Sequence, residues 1–191
     1  MTFARFSSAC AYLAAVAGLA YSVTFVATTD DDTRFGEGLE GAFLLAGGLL
    51  AVAVFAALHQ LVRERDPGFA LLGMLLGLGG GFGAAIHGAY QLALAVEGVD
   101  AEDLPNAIDP RGFLTFGVTG AAVALFALLL EGRLRVVGLV FAALLLILWI
   151  GRLVGGDADD AALLVPAALA GLLAHPLWYV LVGRALGRAT P

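Results

Sequence analysis

The sequence predicts an all-α polytopic membrane protein: a single domain, residues 1–191, folded as a bundle of six transmembrane helices. Three observations predict it. Of 191 residues, 61% are hydrophobic and 14% charged, with a mean hydropathy of +0.94. Soluble domains carry about 25% charged and 45–50% apolar residues, and a globule of this size is mostly surface. The charges are also segregated, which leaves uncharged runs at 6–29, 41–62, 67–96, 112–130, 136–151 and 161–183. About 20 apolar residues cross roughly 30 Å of hydrocarbon. Period-2 alternation is absent, so a membrane barrel of short strands is excluded, and a lone helix satisfies its own backbone groups in lipid.

The first span is placed at about 6–28, behind Arg5. It is longer than the 7–15-residue core of a signal peptide and is read as a retained anchor. The second, 41–62, follows the acidic connector Asp30 to Glu40. Pro67 opens the third, 68–96, and Pro110 precedes the fourth, 112–130. Proline suits a helix start because the first turn needs no N–H partners. The fifth is placed at 134–154. Its uncharged run, 136–151, is short, but Leu153 and Val154 extend it past Arg152, and a long arginine near a helix end snorkels to the interface. The sixth is 161–184.

Charge orients these spans in a cell membrane. With the N-terminus cytoplasmic, Arg5, Arg63, Arg65, Arg133, Arg135, Arg184 and Arg188 lie inside, and Arg34, Arg111 and Arg152 lie outside. The positive-inside rule reads such short-loop arginines. Six spans return the C-terminus to the cytoplasm as well. Trp178 and Tyr179, ahead of Arg184, and Trp149, at the outer end of span five, are read as aromatic belts.

Composition also excludes functions. A net charge of −6 excludes nucleic acid as a partner, since phosphate binding needs a basic patch. There is no Lys, so no retinal Schiff base can form. Cys10 is alone, which excludes an internal disulfide or a dithiol oxidoreductase. The acids are assigned to connectors, so the carboxylate relay of proton-coupled carriers is missing. No metalloprotease, nucleophile-elbow or phosphate-loop motif is present, and the outer acids do not follow the calcium-loop spacing. They are read as a solvated acidic face. No catalytic residue and no metal site is assigned.

Small residues mark packing faces. On span three Gly73, Gly77, Gly80, Ala84, His87 and Gln91 follow 4-3-4-3-4 spacing and share one face. Such faces let helix backbones approach closely. On span six Gly171, His175 and Tyr179 are one turn apart, and His175 precedes Pro176, which frees a carbonyl and kinks the helix. The candidate binding residues are therefore His87, Tyr90, Gln91, His175 and Tyr179, since polar groups within spans face the bundle. Interhelical hydrogen bonding is the structural alternative for each. His59 and Gln60 are read as headgroup-level polar residues. Thr115 and Thr119 stack on one face of span four, where threonine bonds its own helix. Haem b needs two imidazoles at one depth, and His87 with His175 is the pair to consider.

The stretches His87-Gly88-Ala89-Tyr90, Leu104-Pro105, Asp109-Pro110-Arg111-Gly112 and Leu114-Thr115-Phe116-Gly117 resemble an uncharacterised family of small bacterial six-span integral membrane proteins. The resemblance covers residues 87–117 and elsewhere is one of layout. It implies the six-span topology and singles out His87, Tyr90, Asp109 and Arg111. Relatives often carry an acid after the tyrosine, where this chain has Gln91.

Three functions are compatible with these residues. The first is a non-catalytic membrane component, a subunit of a larger complex or a scaffold in the lipid bilayer, associating with other membrane subunits or with itself. The second is a small transporter or a lipid- or small-molecule-binding bundle with a pocket bounded by spans three and six. The third is a haem- or quinone-binding redox protein.

Overall fold

The computed structural model describes residues 1–28, 34–99, 113–154 and 161–189. Among them every regular element is helical. Helix α1 is Phe3–Thr28, α2 is Arg34–Val62 and α3 is Pro67–Glu97. Helix α4 starts in π geometry at Phe113–Val118 and continues as Thr119–Leu129. Helix α5 is Gly132–Leu153, and α6 is Ala161–Arg188. Helices α1, α2, α3, α5 and α6 are long and apolar enough to cross a membrane. The short apolar stretch is Thr115–Leu129 of α4, not the fifth, which runs unbroken for 22 residues.

The helix ends follow from local chemistry. Asp66 caps α3: its Oδ1 accepts the Phe69 N–H at 2.9 Å, with Pro67 in the first turn. At the other end Gly98, at φ 70°, returns its N–H to the Leu94 carbonyl. Arg65, in the α2–α3 turn, reaches the α4–α5 turn. Its guanidinium donates to the Leu129 carbonyl at 2.6 Å and lies 3.0 Å from the Glu131 carboxylate. Both side chains are exposed, so the pair orients the two turns more than it stabilises them. In α6, Pro176 has no N–H to give and its ring crowds the carbonyl of the preceding turn. The helix meets this by widening: Leu169–Ala174 adopt π geometry, and His175 N–H bonds the Ala170 carbonyl, five residues back.

Each helix packs on its neighbours in sequence, and α6 closes against α1, so the six form a ring. Helices α2 and α3 meet at glycine. A Cβ on Gly48 would lie 2.6 Å from Ala85 N and 2.6 Å from the Gly81 carbonyl oxygen. One on Gly41 would lie 2.6 Å from Leu92 N. The closest backbone approach on α3 thus runs along Gly81, Ala85 and Gly88, one position round from the row the sequence emphasised. That row packs on side chains: Gly73 on the Phe126 ring, Gly77 on the Phe55 ring and Gly80 on Thr119. Helices α1 and α6 interlock in the same way. Ser8 Oγ donates to the Gly183 carbonyl at 2.7 Å, and Gly183 faces the Tyr12 ring.

Large apolar side chains cover the outside of the ring, among them Val16 (65% exposed), Leu75 (55%), Ile86 (61%) and Leu173 (62%). Inside, aromatic rings dominate. Two expectations are corrected here. Trp178 and Tyr179 are not a belt: both are buried, and Trp178 packs 6.3 Å from Phe55 and 6.0 Å from Phe141, centroid to centroid. Position along the chain gives a residue's depth in a span, whereas direction around the helix turns Trp178 and Tyr179 inward. Glu40 is not part of a solvated connector: α2 begins at Arg34, and Glu40 is buried. Locating a helix start after the last charge misses a helix that opens with its charges already on it.

Candidate ligand site

The six helices line a partly open cavity of about 520 Å³ in the half of the bundle where α1 ends and α2 begins. Every helix contributes to its wall. Ser22 comes from α1, Gly48 from α2, Ala84 from α3, Thr119 from α4, Leu145 from α5 and His175 from α6. The glycines and alanines in its lining, such as Gly48, Gly80 and Ala84, leave space that larger side chains would fill. The volume falls within the roughly 300–1,000 Å³ of small-molecule sites, which are also mostly apolar with a few placed polar groups.

Phe55, Phe141, His175 and Tyr179 line one end of the cavity. The His175 and Tyr179 rings lie 4.6 Å apart, and Phe141 stands near-perpendicular to the imidazole at 5.5 Å. Trp178 stands perpendicular to Tyr179 at 5.1 Å and closes the space behind them. His175 fits here because Gly18 of α1 has no side chain: a Cβ there would fall on the imidazole. Gly171, one turn earlier on α6, similarly makes room for Ser22. Ser22 Oγ donates to the Gly18 carbonyl at 2.9 Å, leaving its oxygen lone pairs to accept. His175 Nδ1 is buried and has no hydrogen-bond partner among the described residues. Such groups are rare in folded proteins, because an unmet buried polar atom costs about 1–3 kcal/mol. Arg152, near the end of α5, adds a cation at the other end of the wall.

The structure brings together some of the residues singled out by sequence and separates others. His175, Tyr179 and Gly171 share the cavity wall with Gly80 and Ala84 of α3. His87, Tyr90 and Gln91 lie further along α3 and are not among the lining residues. Tyr90 is 38% exposed, His87 is half-buried, and the half-buried Gln91 keeps its Oε1 enclosed. His59, at the far end of α2, does not line the cavity either. Only one imidazole therefore reaches it. Among the described residues no three His, Cys, Asp or Glu side chains are grouped as metal ligands would be. Asp109 and Arg111 lie outside the described residues, as do the acids at 30–32, 100–103 and 157–160. Sequence reasoning missed the α1 wall, although Gly18 and Ser22 stand one helical turn apart and carry the same small-residue signal as Gly171 and His175.

Compared with protein-family models, curated proteins and solved structures, the chain finds no match in any of the three.

Proposed function

We propose that this chain is a six-span integral protein of the cell membrane that binds an apolar small molecule bearing a hydroxyl or carbonyl group. The ligand occupies the central cavity, with its polar group against His175. The observation that carries this reading is the cavity itself: all six helices line it, and one buried imidazole nitrogen in its wall has no partner among the described residues. A neutral imidazole offers one donor and one acceptor, which suits either group. The apolar exterior and the five membrane-length helices support the bilayer as its surroundings. Small-residue packing faces, few polar groups and short loops are compatible with a subunit of a larger complex. Gly48, Gly81 and Gly183 make their contacts within this chain, which favours the binding reading over that one.

Purified protein in mild detergent, extracted with organic solvent, is expected to release one apolar molecule per chain by mass spectrometry. Ala84→Phe fills the cavity and is expected to lose it. His175→Phe keeps an aromatic ring beside Tyr179 and removes the hydrogen bond, lowering affinity about tenfold. Release of nothing above bulk lipid, unchanged in Ala84→Phe, refutes the reading.

The positive-inside count supports cytoplasmic ends. A reporter fused after Arg188 is expected to behave as cytoplasmic and one inserted within 98–110 as external. External activity at the C-terminus refutes the six-span topology.

A further inference from the structure

We propose a second site, on the outside of the bundle, for an anionic phospholipid. It rests on the membrane-spanning reading above and not on the central cavity. Helices α5 and α6 form a groove lined by Arg133, Val136 and Val137 on one side and Leu177, Leu181 and Arg184 on the other. The two helices are antiparallel, so Arg133 in the first turn of α5 and Arg184 near the end of α6 stand at the same end of the groove. The apolar residues follow from one turn further in, and Val136 and Leu177 are at least half exposed. The groove thus places cations above hydrocarbon-facing side chains, which is the layout of a phospholipid's phosphate and acyl chains.

Charge complementarity selects the occupant. Neither Arg133 nor Arg184 has an acidic partner among the described residues. The nearest acid in sequence, Glu131, is turned to Arg65 at 3.0 Å. Two unneutralised guanidiniums on one groove offer N–H donors to phosphate oxygens. Basic pockets between helices on the cytoplasmic side hold anionic headgroups in this way. Residue 132, at the mouth, is glycine with open space around its Cα, so nothing blocks a headgroup there.

The test uses the full chain reconstituted in phosphatidylcholine discs containing a minority of phosphatidylglycerol, with retained lipids counted by native mass spectrometry. One phosphatidylglycerol is expected to be retained in preference to phosphatidylcholine. Arg133→Gln with Arg184→Gln is expected to reduce that preference about fivefold per arginine. Arg5→Gln with Arg188→Gln removes the same charge and is expected to leave it intact. Equal loss in both pairs assigns the effect to diffuse surface charge and overturns the proposal. So does an unchanged preference in Arg133→Gln/Arg184→Gln. Displacement by inorganic phosphate assigns the site to a free anion and overturns it too. A chain that incorporates into discs but shows no preference refutes this site alone. A chain that does not incorporate refutes the membrane reading and this site with it.

Discussion

Trp178→Ala is expected to lower the stability of the bundle by about 3 kcal/mol, near the low end for loss of a large buried aromatic. The indole is fully buried and is the largest side chain in the core. Its ring contacts join three helices: Phe55 on α2, Phe141 on α5 and Tyr179 on its own helix. Gly138 of α5 provides the space, since a Cβ there would lie 2.8 Å from Trp178 Nε1. On the proposed membrane-spanning reading, the transfer of an apolar group between unfolded and folded states contributes little, so the loss is mainly one of packing. That sets the estimate at the low end. Trp178→Phe is expected to cost much less, because it removes an indole N–H that has no partner among the described residues while keeping a ring in place. Thermal and SDS-titrated unfolding of the purified protein measure both. No shift in Trp178→Ala shows that the aromatic core does not hold the ring of helices together.

Gly48→Ala is expected to destabilise the α2–α3 pair by about 2–3 kcal/mol, as overpacking does where neighbours cannot yield. Its methyl group would press on the α3 backbone at Ala85 N and the Gly81 carbonyl. Backbone has no rotamer to change, so the helices must separate. Gly47 is the internal control. A Cβ there would sit 3.6 Å from Ala17 Cβ, an ordinary contact. Gly47→Ala is expected to be neutral or to stabilise by up to about 1 kcal/mol through helix propensity. The same unfolding measurements separate the two. Equal shifts for adjacent glycines refute the close approach.

Much of this chain was legible from residue order. The uncharged runs located the six helical segments of the described residues, because hydropathy sums over a window and does not depend on partners. Spacing also placed Gly171, His175 and Tyr179 on one face, and the structure puts all three on the cavity wall. Helix periodicity follows from 3.6 residues per turn and needs no neighbour to define it.

Other features were decided by tertiary structure alone. The sequence directed attention to His87 and Gln91 on α3, while the cavity takes Gly80 and Ala84 from that helix and adds Gly18 and Ser22 from α1. It assigned Trp178 to an interface and Glu40 to a connector, and both are buried. The physical reason is common to these cases. Where outward-facing and core-facing sides are equally apolar, no amphipathic contrast marks which side of a helix turns inward. Helix rotation is then fixed by pairs, such as Gly48 against Gly81, or Gly18 against His175. A pair is a property of two helices, and window hydropathy describes one helix at a time. Among the described residues, the sequence determined the number of helical segments and their approximate extent. The fit between helices decided which residues meet at the centre.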